Sequence, residues 1–130
     1  IKLYYLYFQL TNLNHYMIFQ FYLFPEIYVF TKSLDFNEHS LLSFKESNYN
    51  TSIIEISKAI KLKIDYTFKS RCIKLVSKTK LTDVGISSKI TSILASNNIA
   101  CNVISGYDND YFFVPFNDGL KAFQILNSLS

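Results

Sequence analysis

The apolar positions along the chain change period several times, and each change marks an element. Ile27 to Thr31 (Ile-Tyr-Val-Phe-Thr) is β-branched and aromatic, follows Pro25, and predicts a buried strand. Leu41–Lys45 and Thr51–Ile56 predict two more, separated by the polar turn Glu46-Ser47-Asn48-Tyr49-Asn50. Ser57 then caps a short predicted helix through Lys63, with Ile60 and Ile64 on one face. From Cys72 to Ser77 the pattern alternates, Ile73 and Leu75 against Lys74, as in a half-buried strand. Ile86, Ile90, Ile93 and Leu94 recur at helical spacing and predict a helix over 82–94, with Thr82 or Asp83 supplying the N-cap oxygen and Asn97-Asn98 the stop. Ile99–Ser105 returns to predicted strand, and Gly106-Tyr107-Asp108-Asn109-Asp110 is turn chemistry. Tyr111–Pro115 reads as the second strand of that hairpin, and Asn117 caps a last predicted helix on which Leu120, Phe123 and Leu126 share a face. The order is β-β-β-α and then β-α-β-β-α, an α+β chain in two lobes, 27–68 and 69–130, each too small to bury much core alone.

Residues 1–26 read differently. Between Lys2 and Glu26 there is no formal charge, and the stretch is dense in Tyr, Phe and Leu. A membrane-spanning helix needs roughly 20 predominantly apolar residues, but Gln9, Thr11, Asn12, Asn14 and His15 divide this one into two shorter runs. A secretory signal lacks its small-residue cleavage site. The segment reads as an extension or fragment end, or as an apolar helix on a partner; a buried or dimer-covered segment is the simplest expectation.

Composition narrows the function classes. Of 130 residues, 49% are hydrophobic and 18% charged, which supports a folded body and excludes disorder over most of the length. Two Cys, Cys72 and Cys101, are too few for a disulfide-rich module and are expected as buried free thiols; with two His they leave nothing for a structural zinc centre. The net charge of +3 is concentrated between Lys58 and Lys80, where eight basic residues face one acid, Asp65. Nearly all the basic residues are Lys in a sequence rich in Ile, Asn, Phe, Tyr and Ser, as AT-rich coding produces, and the run crosses a helix, a linker and a strand, so nucleic-acid binding is not expected.

Candidate chemistry is sparse. There is no phosphate loop, dinucleotide fingerprint or nucleophile elbow. His39 is a lone imidazole in a polar loop, and Asp108 and Asp110 with Asn109 are more readily turn formers than a cation site. The turn Leu81–Ser88 offers more: a helix N-terminus has unpaired N–H groups that hold a carboxylate, Gly85 permits close approach, and Asp83 stands beside it to take an ammonium. The competing reading is that Asp83 caps the helix and Gly85 lets it pack tightly on the sheet, with no ligand.

With its β-α-β-β-α order, the turn Leu81-Thr82-Asp83-Val84-Gly85-Ile86-Ser87, the string Ile99-Ala100-Cys101-Asn102-Val103-Ile104-Ser105-Gly106-Tyr107 and the strand Phe113-Val114-Pro115, the second half resembles an ACT domain. The chain is similar to small stand-alone bacterial proteins of uncharacterised function with two ACT-like halves. Tyr28-Val29-Phe30, Leu42-Ser43-Phe44-Lys45-Glu46 and Thr51-Ser52-Ile53-Ile54 match the first half of that pattern. Two His that those proteins carry after the Gly-Tyr pair are absent here, where the turn reads Asp108-Asn109-Asp110-Tyr111. The resemblance implies a ferredoxin-like ACT fold in tandem with a partial ACT-like first half, antiparallel sheets with helices on one face. It implies a non-enzymatic, cytoplasmic sensing or regulatory protein, a homodimer without metal or cofactor. The effector it implies is a small molecule of the amino-acid type, held by Asp83, Val84, Gly85, Ile86, Asn102 and Val103. The alternative class is a structural or protein-interaction module whose aromatic N-terminus belongs to the contact.

Overall fold

In chain order the elements are β1 (Tyr4–Gln9), β2 (Tyr16–Ser33), β3 (Leu42–Lys45), β4 (Asn50–Glu55), α1 (Ile56–Lys61), β5 (Thr67–Leu75), α2 (Ile86–Ser96), β6 (Asn102–Ser105), β7 (Asp110–Pro115), a 3-10 turn (Phe116–Asp118) and α3 (Gly119–Ser128). The computed structural model describes residues 4–9, 16–34, 38–77 and 79–128, with backbone alone for 4–9 and 16–18. Six strands lie in the order β3-β4-β2-β5-β7-β6, and β1 completes a seven-stranded antiparallel sheet by pairing with the first part of β2.

The 18 residues of β2 organise the sheet. Its first part lies antiparallel to β5, Phe21 opposite Leu75 and Leu23 opposite Ile73, while its second part pairs with β4, Val29 opposite Ile54. β2 therefore supplies the fourth strand that β5-α2-β6-β7-α3 lacks as a β-α-β-β-α-β unit, and β5 does the same for the first half. The strand expected at Ile27–Thr31 begins eleven residues earlier, at Tyr16. The aromatic run reads ambiguously because a continuous apolar stretch is compatible with a helix or with a strand covered on both faces. Phe19 and Phe21 are buried within the chain itself. Among the described residues no helix is long and apolar enough to cross a membrane.

Alternation decides what each face carries. Phe19, Phe21, Ile73, Leu75, Phe112 and Val114 lie under α2 and α3, against Ile90, Leu94 and Leu126. Val29 and Ile54 pack under α1 with Ala59. Arg71 pairs with Ile27 across the sheet and lies against Gly119 of α3, so all three helices share one face. Between Leu23 and Ile27 the register slips, and the Arg71 guanidinium donates from Nε and Nη2 to the Phe24 carbonyl at 3.2 and 2.9 Å, satisfying an acceptor beside the irregularity. The opposite face carries Tyr28, Ile53, Cys72 and Phe113, with edge-to-face contacts of Phe30 to Phe68 at 5.5 Å and to Phe113 at 5.4 Å. Cys72 and Cys101 are free; burial drives the Cys72 thiol far up and pushes Cys101 up to about 12, so both stay protonated at neutral pH.

Helices α1 and α3 differ from the sequence expectation in where they start and in one exposed apolar position each, Ile60 and Leu120. α1 begins at Ile56 with Glu55 at the N-cap and no side-chain cap, and it buries Ala59 while Ile60 is exposed; in so short a helix, one residue of shift turns the face by a third of a turn. It ends where Lys63 adopts a left-handed φ of 53° and Ile64 N–H returns to the Ala59 carbonyl at 2.9 Å. α3 follows the 3-10 turn, which has no side-chain cap from Asn117 or any other residue, and it buries Ala122, Phe123 and Leu126 with Leu120 outward. Gly119 meets Arg71 so closely that an added Cβ would lie 2.5 Å from its Cγ and 2.7 Å from its Cβ. Gly119→Ala is therefore expected to cost about 1–3 kcal/mol through overpacking, read as a lower urea midpoint with unchanged m-value.

Candidate functional site

The site begins where β5 ends. Val76 N–H donates to the Gln20 carbonyl at 2.7 Å, and Gln20 N–H donates to Ser77 Oγ at 2.7 Å, so β2 holds the exit of β5. The chain then closes a turn in which Lys80 N–H donates to Asp83 Oδ2 at 2.7 Å and Asp83 N–H to the Lys80 carbonyl at 2.9 Å. The cap of α2 is accordingly not Thr82 or Asp83. It is Gly85, at φ +83°, whose carbonyl accepts from Lys89 N–H at 3.0 Å. A Cβ on Gly85 would meet nothing within 4 Å, so glycine is needed there for its backbone conformation and not for close packing. No side chain caps the first turn, which leaves backbone N–H groups at Ile86, Ser87 and Ser88 beside the positive end of the helix.

These residues form one wall of a cleft of about 190 Å³. The β6–β7 hairpin forms the other, with Ser105, Gly106, Tyr107 and Asp110. Gly106 N–H donates to the Asn109 carbonyl at 2.8 Å, and Asn109 Nδ2 donates to the carbonyls of Leu75 and Val76 at 3.1 and 3.3 Å, tying the hairpin to the end of β5. Asp110 is the group with chemical reach. It opens β7, is only 8% exposed, and accepts a hydrogen bond from Ser87 Oγ at 3.1 Å on Oδ2. The cleft thus places a carboxylate opposite unpaired helix N–H groups, with Lys80 at the edge and Tyr107 exposed at the rim.

Of the residues picked out in the sequence, Asp83, Gly85 and Ile86 line this cleft. Val84 is 89% exposed and lies outside the lining. Val103 pairs with Phe112 and packs into the core beneath the helices. Asn102 pairs with Phe113, on the opposite face of the sheet, so its amide is turned away from the cleft. Asp110 and Ser87 are functional candidates that the motif reading misses, although Asp110 stands in phase with Phe112 and Val114, the alternate positions of β7 that enter the core. An acid on the buried face of a strand is the signal that would have found it. Among the described residues no group of His, Cys, Asp and Glu is placed to hold a metal ion.

The fold is a ferredoxin-like α+β sheet with helices on one face, and a polar cleft lies at the turn between β5 and α2. Residues 68–128 match the ACT domain family. ACT domains are, in general, regulatory ligand-binding modules. The chain is also similar in structure to a Vibrio cholerae protein of unknown function, described as a possible transport protein, at 24% identity over 84% of this chain and 88% of that one, with a TM-score of 0.75. A second neighbour, from Agrobacterium tumefaciens, shares 20% identity over 78% of this chain and 81% of that one, with a TM-score of 0.61. Aspartokinase alpha and beta subunits give 9% identity over 84% and 95%, with a TM-score of 0.62. At these identities the likeness shows the fold alone. No curated protein matches the sequence.

Proposed function

We propose that the protein is a non-enzymatic sensor of a small amino acid or a close amino-acid analogue. The observation that carries this reading is the juxtaposition of uncapped α2 N–H groups with the buried Asp110 carboxylate across one small cleft. A zwitterion has the complementary pair: its carboxylate takes the N–H groups of Ile86, Ser87 and Ser88, and its ammonium takes Asp110. Gly85 and Ile86 shape the turn, and Asp83 secures it through the Lys80 N–H. The partial first lobe, 27–68, shares β2 and β5 with the ACT domain, so a ligand-dependent shift of the α2 turn reaches it through the sheet. The edge strand β6 leaves backbone groups that a second copy can pair with, which supports a homodimer.

Calorimetric titration of the whole protein with each of the twenty amino acids tests this. At least one is expected to give saturable heat; folded protein with no heat for any of them would sink the proposal. A ligand-free interaction module is the second reading, favoured by one observation: Asp83 and Ser87 already satisfy groups of their own chain.

A further inference from the structure

The first lobe carries a second concavity, of about 470 Å³, on the sheet face opposite the helices. Lys32, Thr51 and Phe44 lie side by side across β2, β4 and β3, and Phe30, two residues before Lys32, belongs to the aromatic cluster of that face. The walls are aromatic: Phe30, Phe44, Tyr49 and Tyr66, with Phe44 45% and Tyr66 40% exposed. The charged groups are two carboxylates, Glu46 and Asp65, and one ammonium, Lys32.

Glu46 is held in place. Tyr49 Oη donates to its Oε2 at 3.0 Å and Thr51 Oγ1 donates to its Oε1. Those hydroxyls, with Lys32 nearby, hold its carboxyl below the usual range, so it is ionised at neutral pH. The Lys32 ammonium sits over the Tyr49 ring, 4.1 Å from its centroid. The chain's own cation thus occupies the place where an aromatic face and a carboxylate meet, the arrangement that attracts organic ammonium groups.

We infer that this groove is a second ligand site, which accepts a small organic cation between its aromatic walls and its carboxylates, with Lys32 as the resident occupant that an external ammonium displaces. It is independent of the amino-acid reading of the α2 cleft. The charge balance decides the ligand's sign: two carboxylates against one ammonium that already has partners favour a cation over an anion.

The test is an NMR titration of the full chain with tetramethylammonium chloride, referenced to sodium chloride at equal ionic strength, on the wild type and on Lys32→Gln, Asp65→Asn and Glu46→Gln. Saturable shifts of the Phe44, Tyr49 and Tyr66 ring signals are expected. Removing the resident cation should tighten binding by about threefold or more, and each loss of a carboxylate should weaken it; Asp65→Asn keeps the comparison open if Glu46→Gln disturbs the hairpin. No saturable shift in a folded Lys32→Gln protein would overturn the inference. So would tighter binding of benzoate than of tetramethylammonium by the wild type.

Discussion

Phe21→Ala is expected to destabilise the protein severely, with a large fall in the urea midpoint. Phe21 has no exposed surface, faces Leu75 across β2 and β5, and belongs to the core that α2 and α3 cover. Truncating a buried Phe costs about 3–5 kcal/mol, against a total stability of about 5–15 kcal/mol for a domain. Tyr22, on the other face, is half-buried and makes an edge-to-face contact with Phe24 at 4.9 Å; Tyr22→Ala should cost much less. Deleting residues 1–24 removes Phe19, Phe21 and the pairing of β2 with the end of β5, and should abolish cooperative unfolding in urea. Had the N-terminus been only an added contact surface, the truncated chain would keep a sharp transition. A sharp transition in the deletion variant would contradict the present account of β2 as a strand of both lobes.

Asp110→Asn should lower affinity for the amino-acid ligand by about 30-fold or more, which corresponds to the ~2 kcal/mol or more lost when one member of a desolvated charge pair is removed. The amide keeps an oxygen to accept from Ser87 Oγ and removes the charge, so the folded cleft is retained and the ammonium loses its partner. Asp83→Ala should behave differently. Its carboxylate is spent on the Lys80 N–H, so the variant loosens the turn before α2, with a smaller loss of affinity, and its effect appears mainly in stability. Calorimetry of both variants with the amino acid that binds the wild type separates the two roles. Equal affinity for wild type and Asp110→Asn would remove Asp110 from the site.

Most of the second lobe was legible in the sequence. The spacing of Ile86, Ile90 and Leu94 identified α2 and its buried face, and the alternation through Ile73 and Leu75 identified the end of β5, which starts at Thr67, before the expected Cys72. Asn98, at φ 59°, ends α2 as the Asn pair suggested. What was not legible depends on pairing between distant strands. Nothing local in Tyr16–Phe24 says that β5, some fifty positions on, lies beside it; the register Phe21↔Leu75 is a tertiary fact. The same holds for the site. Asn102 and Val103 are adjacent in a strand, so one faces the helices and the other faces away, and only the pairing with Phe112 and Phe113 decides which. Asp83 was visible as a polar group in the right turn, but its engagement with Lys80 came from the turn's closure. Asp110 resembles turn chemistry because it follows Asp108-Asn109, although its phase with Phe112 places it on the buried side.

The central claim is that the ligand's carboxylate sits on the first turn of α2, and the backbone amides of Ile86, Ser87 and Ser88 report on it directly. In an NMR titration of the full chain with the calorimetrically active amino acid, these three amide signals should move first and furthest, with those of Gly106 and Asp110 following. If the largest shifts fall instead among residues 30–32, 44–51 and 65–67, or if the α2 amides stay in place at saturating ligand, the claim is contradicted.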